Sequence, residues 1–130
     1  MSTETPEITD EGRRIMTISR EADAKLDASR LREIFTADVR FQIGALPEVS
    51  GVDNVVEFIS GFYEQLTTME HQVSRGWQVG DTLIYEAIVT WHLKDGRSVS
   101  TGYANHIDLS EGKARRYRIY IDTSPLAAPR

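Results

Sequence analysis

Apolar positions along the chain follow two rhythms, helical in the first half and alternating in the second. The clearest helical stretch is Val52–Leu66, where Val55, Ile59, Phe62 and Leu66 recur at three- and four-residue spacing, flanked by Val56, Phe58 and Tyr63. A narrower stripe of Ile15, Met16, Ile18 and Ala22 predicts a helix over Asp10–Lys25. A short helix follows around Leu31, Ile34 and Phe35, with Ser29 or Asp27 as its N-cap. Val39-Arg40-Phe41-Gln42-Ile43 alternates strictly and predicts a strand with Val39, Phe41 and Ile43 turned inward. Gly44 to Gly51, with Pro47, reads as a loop.

Beyond the third helix the period changes to two. Strands are expected over His71–Val79 and Leu83–His92, then two more ending near Asp122. Asp95-Gly96 is a strong two-residue hairpin signal and Glu111-Gly112 a weaker one, because such turns need positive φ at both positions. If both turns are tight, Tyr85, His106 and Tyr117 share one cross-strand row, followed by Ala87–Ala104–Ile119 and Val89–Gly102–Ile121, with Trp91 across from Ser100. The opposite face then carries Glu86, Asn105 and Arg118, with Ile88, Tyr103 and Tyr120 beside them. A slip of one residue would exchange the faces.

The order of helices, one strand, a helix and four antiparallel strands is an α+β domain with a bent sheet wrapped over helices. At 130 residues the chain holds one domain, taken as residues 10–126 between a disordered start (1–9) and a short tail (127–130). A net charge of −5 argues against binding to a phosphate backbone. No apolar run approaches the roughly 20 residues that span a bilayer. The polar, acidic start is unlike a signal peptide, which leaves the cytoplasm as the expected compartment. Without cysteine there is no thiolate nucleophile. His71, His92 and His106 are far apart in sequence, and His71 and His92 share the outer parity while His106 points inward, so no compact metal site is expected.

The chain resembles the nuclear-transport-factor-2-like superfamily, in particular its SnoaL-like branch of polyketide cyclases. The resemblance is carried by Phe35-Thr36-Ala37-Asp38-Val39 leading into a strand and Gly51-Val52-Asp53-Asn54-Val55 opening a helix. It is completed by Glu111-Gly112-Lys113 and by Tyr117-Arg118-Ile119-Tyr120-Ile121-Asp122-Thr123-Ser124-Pro125-Leu126. It implies a cone in which a curved mixed sheet, mainly antiparallel, and three helices enclose a mostly apolar cavity. Relatives include ketosteroid isomerase, scytalone dehydratase and limonene epoxide hydrolase, as well as non-catalytic members. The polar residues with which limonene epoxide hydrolases activate water would fall at Phe41, Ile43, Ala87, Val89 and Ile119, all apolar here. That chemistry is therefore not expected.

On the expected inner face, His106 between Tyr85 and Tyr117 is the leading acid/base candidate, with the two phenols as donors to a substrate oxygen. The alternative is a core histidine bonded to one tyrosine. The resemblance adds Asp122 as an acid/base, although strand parity puts it on the outer face, where it would instead brace the turn before Pro125. Asp38 reads better as a turn residue. Trp91, Ala87, Val89, Ala104, Ile119, Phe41, Phe62 and Tyr63 are the expected substrate-binding wall. The expected function is proton transfer on a small, hydrophobic, oxygenated molecule without any cofactor. The alternatives are a non-catalytic binding module and a purely structural domain whose cavity is filled by Trp91, Tyr63 and Phe62. Apolar residues on the outer sheet face predict pairing with a second copy.

Overall fold

The computed structural model describes residues 7–127, so most of both expected tails lies outside the described residues. Helix α1 spans Asp10–Lys25, as the stripe predicts. The Thr9 side chain accepts the Gly12 N–H at 3.1 Å, and Asp10 and Glu11 place negative charge at the positive end of the helix dipole. Ile8 and Thr9, placed in the disordered start by the sequence reading, are instead anchored. Ile8 packs on the core, and the Thr9 N–H and hydroxyl both donate to Gln78 Oε1, at 3.1 and 3.0 Å. A 3-10 helix, Ala28–Glu33, follows, with Asp27 at its N-cap position. Helix α2, Val52–Tyr63, ends sooner than expected because Leu66 already pairs with Leu93.

Among the described residues six strands form one sheet: β1 (Phe35–Ile43), β2 (Val49–Ser50), β3 (Leu66–Val79), β4 (Thr82–Leu93), β5 (Ser98–Ser110) and β6 (Lys113–Tyr120). Their order is β2-β1-β6-β5-β4-β3, with β1 and β6 parallel and every other pair antiparallel. The mixed, mainly antiparallel sheet curves around α1, the 3-10 helix and α2, the cone the resemblance implied. Its inner face and the helices build one core, with Ile15, Ile34, Val39, Val55, Leu66, Leu83 and Ile107 fully or almost fully buried.

Strand phase departs from expectation at three places. The β4–β5 connection is a three-residue loop, Lys94-Asp95-Gly96, in which only Gly96 has positive φ (93°), rather than a two-residue turn. Gly96 N–H donates to Leu93 O at 3.0 Å, and Leu93 N–H to Arg97 O at 2.8 Å. Glu111-Gly112 does form the tight turn, with both φ positive, but a bulge between Asp108 and Leu109 in the β5–β6 pairing leaves Arg115 extra and shifts that register too. The two slips act on β5 alone. Tyr85, Ala87, Val89 and Trp91 still face inward, as do Tyr117 and Ile119, but β5 is turned over. Tyr103, Asn105, Ile107 and Leu109 point into the core, whereas Gly102, Ala104 and His106 lie on the other face.

Energetics explain the choice. The observed phase buries an isoleucine, a leucine and a tyrosine from β5; the expected phase would bury Gly102, Ala104 and the carboxylate of Asp108. Each large apolar side chain contributes about 1.5–3 kcal/mol on burial, more than one turn type gains over another. The third departure is in β3, where the register shifts between Val73 and Arg75, leaving Ser74 extra. Counting back from the outward Trp77 places His71 outward, but the bulge reverses the phase and turns it in.

Candidate functional site

Successive turns of one face of α1 carry Ile15, Ser19 and Asp23, all directed at the sheet. Across from Asp23, β3 delivers His71 and β5 delivers Tyr103. His71 Nε2 lies 2.6 Å from Asp23 Oδ2, and His71 Nδ1 lies 2.6 Å from the Tyr103 hydroxyl. The other oxygen of Asp23 accepts the hydroxyl of Tyr63, from the last turn of α2. One carboxylate thus ties α1 to α2 and to β3.

The chemistry of the partners sets the tautomer. A carboxylate can only accept, so Nε2 carries hydrogen and Nδ1 of a neutral ring accepts the Tyr103 O–H. If the ring is protonated, both nitrogens donate, and the Tyr103 hydrogen is released toward the cavity. Proton position on His71 therefore decides whether Tyr103 can donate to a guest. Burial, and then the charge of Asp23, push the Tyr63 phenol far above its usual pKa. Burial also raises the Tyr103 phenol, so both remain protonated donors across the ordinary pH range.

Deeper in the cone Tyr85, Asn105 and Tyr117 form a second polar group. Asn105 Nδ2 donates to both phenol oxygens, at 2.7 and 3.1 Å. The phenols lie 3.1 Å apart, and Tyr117 O–H continues to Ser19 Oγ at 3.3 Å. Burial raises the pKa of both phenols, that of Tyr117 well above its usual value.

Between sheet and helices lies a cavity with two lobes sharing Ser19, Asp23, Ile43, Met69, Tyr117 and Ile119. The first, about 60 Å³, is apolar and runs under α2 past Phe35, Phe41, Phe58 and Phe62. The second, about 40 Å³, carries the polar groups: Arg20, His71, Tyr85, Tyr103, Asn105 and Trp91. On this scale one water needs about 10–15 Å³, so the cone is hollow, with a polar wall facing an aromatic one. Trp91, Tyr63 and Phe62 narrow it without filling it; Phe62 meets Trp91 edge-on at 6.4 Å.

A profile of the SnoaL-like domain family matches residues 19–117. The chain belongs to the SnoaL-like family. Solved structures agree in fold. An NTF2-like protein of unknown function from Burkholderia pseudomallei K96243 has a TM-score of 0.80 at 17% identity, over 91% of this chain and 95% of that one. An LEH-like epoxide hydrolase from M. tuberculosis scores 0.75 at 14% identity, over 88% and 84%. A protein of ketosteroid isomerase-like fold from Catenulispora acidiphila DSM 44928, in complex with trimethylamine, scores 0.77 at 15% identity, over 85% and 86%. No curated protein matches the chain.

In this SnoaL-like domain the residues expected to do chemistry are redistributed. Tyr85 and Tyr117 are in the cavity, joined by Asn105 rather than by His106. His106 lies half-buried on the outer face between Ile84 and Arg118, and Ala104 shares that face, so neither lines the two lobes. Asp122 is exposed; its carboxylate accepts the Ser124 N–H at 2.9 Å, which holds its pKa below the usual range, the turn-bracing arrangement weighed against an acid/base role. Asp38 accepts the Thr36 hydroxyl at 2.9 Å. Of the expected wall, Trp91, Val89, Ile119, Phe41, Phe62 and Tyr63 line the lobes, whereas Ala87 is buried behind them. Phe41, Ile43, Ala87, Val89 and Ile119, apolar where limonene epoxide hydrolases were expected to be polar, all sit on the inner side.

Asp23, His71, Tyr103 and Asn105 were missed as site residues. Two signals pointed to them. Ser19 and Asp23 continue the Ile15 stripe at four-residue spacing, polar residues on a core-facing line. The odd positions Tyr103, Ile107 and Leu109 out-weigh their even neighbours in apolar character, against the turn count. Among the described residues no group of three or more His, Asp or Glu could hold a metal ion.

Proposed function

We propose that the protein is a cofactor-independent enzyme that moves a proton on a small, hydrophobic, oxygenated substrate of polyketide or terpenoid type, in a cyclisation, isomerisation or dehydration. The observation that supports this is the chain Asp23–His71–Tyr103, in two steps of 2.6 Å from a carboxylate to a phenol at the cavity. Tyr103 is the group that touches substrate, His71 holds or returns its proton, and Asp23 orients the ring and balances its charge. Tyr85, Asn105 and Tyr117 form the polar floor, and the phenylalanines of the other lobe exclude water.

The test is exchange of acidic C–H protons. With 2-tetralone as probe in D2O, the protein should accelerate loss of the α-proton NMR signal. His71→Asn and Tyr103→Phe should each lower that rate by about 10²–10⁴-fold, the usual span for a positioned acid or base. Equal rates in variants and parent would remove the relay from the mechanism.

A second reading, a binding module without catalysis, draws on the fact that both nitrogens of His71 already have partners. Binding of the probe with no exchange would favour it. We further propose that the outer sheet face pairs with a second copy. Ile88 and Tyr120 are 45% and 53% exposed there, beside Ile84 and Trp77, with the Arg75–Glu86 ion pair among them. No helix among the described residues is long and apolar enough to cross a membrane.

A further inference from the structure

Two buried polar atoms of the cavity have no part in the relay. Among the described residues, Trp91 Nε1 and Asn105 Oδ1 find no hydrogen-bond partner, although they belong to residues only 1% and 3% exposed. Both side chains line the polar lobe. Native interiors seldom leave such atoms unpaired, and at a cavity wall a guest is able to complete them.

What each atom requires follows from its chemistry. The indole N–H can only donate, so it needs an acceptor. The amide is held by its neighbours. Tyr117 O–H is directed to Ser19, and Tyr85 O–H to the Tyr117 oxygen, so both phenol oxygens look for donors, and Asn105 Nδ2 supplies them. Every hydrogen of this floor is thereby engaged internally. What it leaves for a guest is one acceptor, Asn105 Oδ1. Asn105 pairs with Tyr85, six residues from Trp91 along β4, so the two residues that carry these requirements are set apart along the sheet.

We infer that the ligand is a hydroxy-carbonyl compound on a rigid apolar frame, with a hydroxyl donating to Asn105 Oδ1 and a carbonyl accepting from Trp91 Nε1. This rests on the cavity being a ligand site, as proposed above, but not on turnover. The frame spans the polar lobe between these two contacts, where Tyr103 also forms part of the wall. Charge argues for a neutral guest: Asp23 is the carboxylate in the wall, and the one arginine among the lining residues, Arg20, is exposed.

The experiment compares three matched probes by calorimetry: 6-hydroxy-2-tetralone, its methyl ether 6-methoxy-2-tetralone, and 2-tetralone. The hydroxy compound should bind at least about tenfold tighter than the other two, since only it meets both buried atoms. Asn105→Leu, which replaces the amide by an apolar group of similar size, should reduce that ratio to about one. In Trp77→Phe protein, where Trp91 is the remaining indole, binding should change the tryptophan fluorescence. Equal affinities for the three probes, or discrimination that survives in Asn105→Leu, would overturn the assignment. The comparison on the parent protein decides even if that variant does not fold. Discrimination without α-proton exchange defeats only the catalytic reading, exchange without discrimination defeats only the ligand assignment, and absence of all binding defeats both.

Discussion

His71 Nε2 and Asp23 Oδ2 lie 2.6 Å apart although 48 positions separate them in the chain, and the pair joins the inner face of α1 to the middle of β3. The His71 side chain is 8% exposed and that of Asp23 21%, so the contact is shielded but not dry. Asp23→Asn keeps the size and removes the charge that both His71 and Tyr63 address. It should lower unfolding free energy by about 1–3 kcal/mol, the cost of weakening hydrogen bonds to a largely buried charged group, measurable by urea denaturation. An unaltered midpoint would mean that the carboxylate does not hold the helices to the sheet.

Alkaline titration should be delayed and cooperative. Tyr63, Tyr85, Tyr103 and Tyr117 all have folded-state pKa values raised above the ordinary 10.0, chiefly by burial. The folded state therefore holds these protons more tightly than the unfolded chain does. Their contribution to stability is complete below about pH 10 and is lost as pH rises from there toward the folded values. Absorbance at phenolate wavelengths should show four of the five tyrosines ionising together with loss of circular dichroism. Four phenols ionising reversibly in the folded protein would contradict the buried arrangement.

The β4–β5 loop sets which residues enter the cavity. Gly96 has φ of +93° with open space around it, so Gly96→Ala should cost about 1–2 kcal/mol from backbone strain alone. Deleting Lys94 to leave a two-residue turn would drive β5 over by one residue, placing His106 indoors and exposing Ile107 and Leu109. That variant should lose cooperative unfolding. A well-folded deletion protein with unchanged probe binding would show that the loop does not set the register.

Gly76 tests the packing over Tyr85. A Cβ built there would lie 2.9 Å from Tyr85 Cβ, closer than real Cβ atoms approach, and 3.2 Å from Ile84 O, tighter than most. Gly76→Ala should destabilise by about 1–3 kcal/mol, as overpacking does, and should weaken tetralone binding by displacing the Tyr85 phenol. Calorimetry and thermal unfolding on the same sample check both.

Pairing through the outer face predicts a dimer at tens of micromolar by light scattering and a monomer for Ile88→Glu, which sets a charge into the exposed apolar patch. A monomeric parent protein would remove the proposal.

The amino-acid sequence by itself determined the elements and the α+β class, because helix and strand periods are local and are repeated over many residues; the cone was what the family resemblance implied. Its alternation also placed Tyr85, Trp91 and Tyr117 inward, whereas it left Asp122 between an acid/base role and a turn-bracing one. Only the tertiary structure decided which alternate residues of β5 and of the first half of β3 enter the core. Strand phase is carried across a turn by counting, and one extra residue at Lys94-Asp95-Gly96, at Ser74 or at Arg115 reverses it. Since local pattern cannot weigh a turn's preference against the burial of Ile107 and Leu109, the meeting of Asp23, His71 and Tyr103 became visible only once α1, β3 and β5 were packed together.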